Sequence, residues 1–217
     1  MTLLEPSSFP ESLTFAELGL NTALLKALPT RLKHPTRAQQ LAIPAILAGR
    51  DLLALAQTGS GKTLAFGLPL LQQLLLQQQT QLQRTKSVPP QNALALVLVP
   101  TRELALQVTE ALRAIASQLS VSAPLHIQLL CGGVALEEQL AELTAKPQLL
   151  VATPGRLLDL CKQSHISLDS IKHLVLDEAD RLLEMGFWPD VQKLMAFMPK
   201  LKQSSLFSAT LLSLIHI

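Results

Sequence analysis

Tyrosine is absent from this 217-residue chain, and six phenylalanines and one tryptophan hold the aromatic share to 3%. A core must therefore be built from Leu, Ala, Val and Ile, which the 48% hydrophobic content can supply. Cysteine is nearly missing too. Cys131 and Cys161 have neither metal-ligand spacing nor a disulfide framework around them, and both read as reduced, semi-buried residues of an intracellular protein. Charge is sparse at 16% of residues and almost balanced, net +2, which excludes a chain that binds nucleic acid by bulk electrostatics. Any polynucleotide has to be gripped locally, by loops and helix ends. No apolar run approaches the ~18 residues of a membrane-spanning helix, and the start, MTLLEPSSFPES, with its early Glu5 and two prolines, is not a signal peptide. The expectation is a soluble, cytoplasmic chain with one sizeable α/β domain.

What is there centres on Leu52 to Thr63, LLALAQTGSGKT. Leu52 to Ala56 reads as a short buried strand. Gln57, Thr58, Gly59, Ser60 and Gly61 then turn the chain, and Lys62 and Thr63 open an apolar run of helical length. A strand, a loop without bulky side chains and a helix N-terminus make a phosphate cradle, because backbone N–H groups can converge on an anion there. Lys62 would reach the β- and γ-phosphates, and the Thr63 hydroxyl would be a ligand of Mg²⁺. The strict pattern has glycine where this chain has Ala56. An ordinary glycine turn before a helix is the bland alternative, and Lys-Thr after two spaced glycines argues against it.

Further along, Leu94 to Val99 is a strand-length apolar run stopped by Pro100, and Thr101 to Leu119 is helical. Ile127 to Cys131 is a strand ended by Gly132 and Gly133, with a helix over Val134 to Ala145. Leu149 to Ala152 is a strand before Thr153, Pro154, Gly155 and Arg156 start another helix. Leu174 to Leu176, a helix over Asp190 to Phe197, and a last strand over Ser205 to Phe207 complete the pattern. Upstream, a helix is expected after a turn at Gly19, and a second one from an N-cap at Thr36 to about Ala48-Gly49. The Gln-rich patch QQLLLQQQTQLQ reads as a solvated helix end, and Arg84 to Asn92 as a linker. Strand and helix alternating this often means a mostly parallel sheet with helices on both faces, whose ligands sit beyond the carboxyl ends of the strands.

The stretch KHLVLDEAD, Lys172 to Asp180, delivers Asp177 and Glu178 to that sheet edge. Asp177 is placed to hold Mg²⁺ opposite Thr63, and Glu178 to orient and deprotonate an attacking water. Acidic residues after a strand are otherwise often just the first turn of a helix, where they suit its dipole.

AQTGSGKT at Ala56 to Thr63, DEAD at Asp177 to Asp180 and SAT at Ser208 to Thr210 together resemble the first core domain of a DEAD-box RNA helicase. PTRELALQ from Pro100, TPGR from Thr153 and the pair Gly132-Gly133 resemble that family's RNA-contacting segments. PTRAQ, Pro35 to Gln39, resembles its adenine-reading segment, with Phe15 as the upstream aromatic. The resemblance implies a RecA-like P-loop NTPase domain over residues 15–210, between a poorly ordered start at 1–14 and an unfamiliar tail at 211–217. It implies an enzyme that uses ATP and Mg²⁺ to open RNA duplexes locally, or alternatively an ATP-switched RNA clamp that unwinds nothing. Gln39 would read adenine. Its carboxamide offers donor and acceptor together, although an exposed helix glutamine is the plainer alternative. Pro100, Thr101, Arg102, Gly132, Gly133, Thr153, Pro154, Gly155 and Arg156 would contact the RNA backbone with little sequence preference. Thr101 and Thr153 could equally be N-caps. Asp180, Ser208 and Thr210 would couple the two sites. Two departures stand out. Leu32 occupies the place of an adenine-stacking aromatic, and the second RecA-like domain that the family needs does not appear. This chain alone is accordingly expected to bind nucleotide weakly, hydrolyse it poorly and unwind nothing.

Overall fold

The computed structural model describes residues 13–85, 93–121 and 123–210. The expected tail at 211–217, most of the expected N-terminal stretch and most of the expected linker after Thr85 lie outside the described residues.

The elements run α1 (Thr22–Ala27), α2 (Arg37–Leu47), β1 (Leu52–Leu55), α3 (Lys62–Thr85), β2 (Ala95–Leu98), α4 (Arg102–Ala116) and β3 (Ile127–Leu130). They continue with α5 (Leu136–Leu143), β4 (Leu149–Ala152), α6 (Pro154–Lys162), β5 (His173–Leu176), α7 (Ala179–Glu184), α8 (Trp188–Ala196) and β6 (Gln203–Ser208). The six strands form one sheet in the order β1-β6-β5-β2-β4-β3, and every pairing is parallel. Parallel neighbours cannot be joined by tight turns, so each crossover carries a helix and both faces are covered.

The strand residues sort themselves between two cores. Ala95, Val97, Leu149, Val151, Val175 and Phe207 face a cluster with α1 to α4. Leu96, Leu98, Leu150, Ala152, Leu174 and Leu176 face a second cluster with α6, α7 and α8. A strand buried on both sides must be apolar at consecutive positions, which is why β2 and β4 read as unbroken runs. With aromatics so few, Phe66 of α3 meets Phe207 of β6 edge-on, ring centroids 5.4 Å apart. Both cysteines are buried, Cys131 completely and Cys161 nearly so, and burial pushes the Cys161 thiol up to about 11. Neither thiol is activated.

The Gln-rich patch differs from the sequence expectation. Gln72 and Gln78 are buried. Gln72 accepts from the Asn21 N–H at 2.7 Å and donates to the Gly19 carbonyl at 2.9 Å, while Gln73 donates to Ile46 O at 3.1 Å. The first turns of this tract lash α1 and α2 to α3, because segments without regular pairing need side-chain partners for their buried backbone groups.

The two edges of the sheet are finished differently. On β3 the outward-pointing residues are Ile127, Leu129 and then Cys131 just beyond it, since His126 O and Leu130 O bond toward β4. Arg113 closes Ile127 O through Nε at 3.0 Å and Nη2 at 2.7 Å. Gln128 donates to Leu129 O at 3.1 Å, and the Gln139 carboxamide pairs with both N–H and C=O of Cys131. On β1 the outward residues are Leu53 and Leu55, because Ala56 N bonds inward to Ser208 O. Their outward backbone groups have no hydrogen-bond partner among the described residues.

Gln203 of β6 is buried and donates to Ile46 O at 2.9 Å and Arg50 O at 2.8 Å, leaving its carbonyl 3.1 Å from His173 Nδ1. Burial lowers the His173 pKa against the helping Gln203 bond, with Lys172 and Lys202 lowering it further. Folding therefore favours the neutral ring. Its contribution is complete above the ordinary imidazole value of about 6.5 and is lost as pH falls below it. His173→Gln is expected to lose less urea stability than wild type between pH 7.5 and pH 5.5, read from the two denaturation midpoints.

Candidate functional site

The strand order divides the predicted motifs into two neighbouring sets. The phosphate loop follows β1, Ser208 to Thr210 end β6, and Asp177 and Glu178 follow β5; these are adjacent strands. Thr101 and Arg102 follow β2, Thr153 to Arg156 follow β4, and Gly132 and Gly133 follow β3, the next adjacent strands. All lie at the carboxyl ends, the edge where open α/β sheets hold ligands.

In the first set, Ala56 leaves the sheet and Gly59 (φ +82°) and Gly61 (φ +83°) adopt left-handed backbone that suits glycine. Lys62 opens α3 with its side chain buried. Its Nζ lies 3.8 Å from Asp177 Oδ1 and makes no hydrogen bond, and the buried Ser60 hydroxyl is likewise unpartnered. A buried ammonium and a buried hydroxyl without partners, at a helix N-terminus, fit an anion such as a phosphate. Thr63 stands beside them on α3. Among the described residues no cluster of His, Cys, Asp or Glu forms a metal cage. Mg²⁺ needs no such cage, since it takes only one or two protein oxygens and the rest from phosphate and water.

Asp177 is 2% exposed, and desolvation pushes its carboxyl up to about 6 despite the opposing pull of Lys62 and of the Glu178 N–H. Such a group sits near the boundary between acid and carboxylate, where a second cation beside it would hold the charged form. Glu178 has φ 51° and ψ 52°, left-handed for a bulky side chain. The other non-glycine residues of this kind, Lys146 and Ser164, follow helix C-termini, where the conformation is usual. Glu178 instead occupies the N-cap of α7, where extended backbone is the rule, and strain of this kind concentrates at functional sites. Its carboxylate accepts from Arg181 Nη1 at 3.0 Å.

Asp180 supplies the link between β5 and β6. Its Oδ2 accepts from Ala209 N at 3.0 Å, Thr210 N at 3.1 Å and Thr210 Oγ1 at 3.4 Å, while Ser208 Oγ donates to Thr210 O at 2.9 Å. Desolvation works against its charge, but the Arg181, Ala209 and Thr210 N–H groups and the Ser208 hydroxyl together hold its pKa below the usual carboxylate range.

Gln39 is buried, so the alternative of an exposed helix glutamine does not apply. Its Oε1 completes a capping box with Thr36 N at 2.9 Å, and its Nε2 donates to Gly61 O at 3.1 Å. Thr36 Oγ1 donates to Ser60 O at 2.7 Å. The α2 N-terminus thus braces the phosphate loop, and a Cβ on Gly61 would collide with Gln39 Nε2. One lone pair and one N–H of the carboxamide remain unspent by these bonds. Leu32 is half-buried and borders a cavity of about 610 Å³ with Thr63 and Leu64. Phe15, the upstream aromatic of the adenine-reading segment, is 4% exposed and packs in the first core cluster.

In the second set, Thr101 is an N-cap, its hydroxyl accepting from Leu104 N at 3.2 Å, whereas Thr153 at the head of α6 makes no cap hydrogen bond. Pro154 occupies the first helical turn, and no atom would obstruct a Cβ on Gly132 or Gly155 within 4 Å. Arg102 Nη1 donates to Gly133 O at 3.1 Å, and Arg156 Nη2 to Val134 O at 3.3 Å. Pro100 precedes these as the buried end of the β2 segment.

Comparison with known proteins agrees with this arrangement. The DEAD/DEAH box helicase family model matches residues 36–215. The ATP-dependent rRNA helicase RRP3 of Gibberella zeae is 44% identical over 94% of this chain, which covers 39% of that protein. The ATP-dependent RNA helicase DeaD of Buchnera aphidicola is 45% identical over 91% of this chain and is covered over 31% of its own length. Among solved structures, a DEAD box protein from the hyperthermophile Methanococcus jannaschii superposes with a TM-score of 0.78 at 34% identity, over 91% of this chain and 50% of that one. The chain spans about two-fifths or less of these curated relatives, and among its described residues no helix is long and apolar enough to cross a membrane. With its parallel sheet, its braced phosphate loop and its DEAD tetrapeptide at one strand edge, the chain belongs to the DEAD/DEAH box helicase family.

Proposed function

We propose that this chain is the first RecA-like domain of an ATP-dependent RNA helicase, binding ATP with Mg²⁺ on the first set of strand ends and RNA backbone on the second. The observation that carries the reading is the buried, unpartnered Lys62 ammonium 3.8 Å from Asp177, at the head of a helix behind a glycine loop. Ala56 to Thr63 would wrap the phosphates, and Gln39 would spend its remaining donor and acceptor on adenine. Thr63 and Asp177 would hold Mg²⁺, which supplies charge neutralisation for the departing phosphate. Glu178 would take the proton of the attacking water. Asp180 would pass the state of the nucleotide site to Ser208 and Thr210. Thr101, Arg102, Gly132, Gly133, Thr153, Pro154, Gly155 and Arg156 would hold successive phosphates through helix N-termini and guanidiniums. Hydrolysis needs an arginine from outside this domain, which can be worth orders of magnitude in phosphoryl transfer, so residues 1–217 alone bind nucleotide weakly and turn it over slowly.

The test joins this domain to a second RecA-like domain and measures release of a short RNA duplex with ATP, against retention of RNA with a nonhydrolysable analogue. Duplex release supports the helicase reading. Retention without release supports the clamp reading, and stimulation by DNA equal to that by RNA overturns both. A smaller test addresses the adenine side. Leu32→Phe adds a π face beside Thr63 and is expected to tighten ATP binding about threefold, within the ~0.5–1.5 kcal/mol of an aromatic stack; unchanged affinity shows that Leu32 does not border the base.

A further inference from the structure

The turn between β3 and α5 is held by more polar side chains than its length needs. Gln139 of α5 is 3% exposed and uses both ends of its carboxamide on this turn. Oε1 accepts from Cys131 N at 3.2 Å, and Nε2 donates to Cys131 O at 3.0 Å and to Val134 O at 3.2 Å. The same turn presents the two carbonyls on which the arginines rest, Gly133 O for Arg102 and Val134 O for Arg156. Val134 O therefore joins Gln139 and Arg156 directly, and Arg156 Nη1 is buried without a partner. Gly133 lies at φ +75°, and a Cβ there would come within 2.6 Å of Arg102 Nη1. The turn, the two guanidiniums and the carboxamide are one hydrogen-bonded unit drawn from α4, the β3–α5 turn, α5 and α6.

We propose that Gln139 is a positioning residue for RNA: by fixing the Cys131–Val134 turn it seats both Arg102 and Arg156 in the geometry that receives phosphates. The inference rests on the RNA-binding reading given above. A free arginine side chain loses considerable rotamer freedom when a phosphate immobilises it. Resting both guanidiniums on preset carbonyls reduces that loss before RNA arrives, which is how preorganisation raises affinity without adding a contact. Gln139 itself reaches only backbone, so its effect on RNA passes through the arginines.

The experiment measures binding of a fluorescent single-stranded RNA and of fluorescent ADP to the 217-residue chain at low salt, for wild type, Gln139→Leu, Arg102→Ala, Arg156→Ala and the double variants. Gln139→Leu is expected to weaken RNA binding about five- to tenfold and to leave ADP binding within about twofold. In that background Arg102→Ala and Arg156→Ala are each expected to cost less than half the fold-change they cost in wild type, the signature of residues acting as a unit. The slope of log affinity against log salt is expected to fall with Gln139→Leu, since each lost phosphate contact on a single strand removes roughly 0.7. Equal loss of RNA and ADP binding would make Gln139 a general structural residue, and unchanged arginine costs would show no coupling; either result overturns the proposal. If Gln139→Leu melts below the assay temperature, Gln139→Met, unbranched and of similar length, replaces it. If wild type binds RNA and neither arginine matters, the RNA reading itself fails and takes this inference with it.

Discussion

Lys62→Ala is expected to weaken nucleotide binding to this domain by roughly a hundredfold. The ammonium is buried at the head of α3 and makes no hydrogen bond to the protein, so its unspent donors are available to a phosphate. A charge-assisted hydrogen bond of this kind contributes about 1.5–3 kcal/mol, up to roughly two decades of affinity. The same substitution leaves Asp177 buried without its neighbouring cation, and desolvation already holds that carboxyl up to about 6. Its pKa should therefore rise further, which weakens any cation site built on it. Titration with fluorescent ADP and ATP, with and without Mg²⁺, measures both effects, and a thermal melt checks that the domain remains folded. Lys62→Arg serves as the charge-preserving control. Affinity for the triphosphate unchanged in Lys62→Ala would remove the phosphate assignment of this loop.

Glu178→Gln is expected to separate binding from turnover in a two-domain protein that carries this domain. The amide keeps the size of the side chain and can still accept from Arg181, but it cannot take a proton at neutral pH. Loss of a positioned general base costs about 10²–10⁴-fold in rate. Arg181 is 55% exposed although Glu178 is only 13% exposed, and the amide still accepts from the guanidinium, so weakening this pair costs on the order of 1 kcal/mol and does not explain a collapse of turnover. The expected result is hydrolysis reduced at least a hundredfold, with ATP affinity within about twofold of wild type. Turnover that survived would move the base elsewhere, and the left-handed backbone of Glu178 would need another purpose.

The strand-to-loop signals were legible because each is local. A run such as Leu149 to Ala152 followed by Thr-Pro-Gly-Arg carries its own strand, cap and helix start, and the strand there has those bounds. Lys62 and Asp177 are far apart in sequence, yet each sits at a strand end, and a parallel sheet places all such ends on one edge. The short helix α7 was not legible, because it starts from a left-handed glutamate and has only six residues. The buried glutamines were also hidden. Gln72 and Gln203 bond to backbone 51 and 157 residues away, and a carboxamide whose partners are main-chain groups leaves no pattern in the side chains around it. The Gln-rich tract was misread for that reason. Gln139 gave no signal for the same reason, lying within a stretch that reads only as a helix over Val134 to Ala145.

The unequal finish of the sheet's two borders bears on how molecules of this domain can meet. On one flank side chains occupy the carbonyls of Ile127 and Leu129 and both backbone groups of Cys131, while among the described residues the flank at Leu53 and Leu55 keeps its main-chain donors and acceptors unspent, with Leu55 half exposed. An extended segment therefore meets a more open ladder at Leu53 and Leu55 than at Ile127 and Leu129. A strand arriving there covers that border and offers its own outer edge in its place, so main-chain stacking stops at one addition only where the newcomer's far side is itself covered.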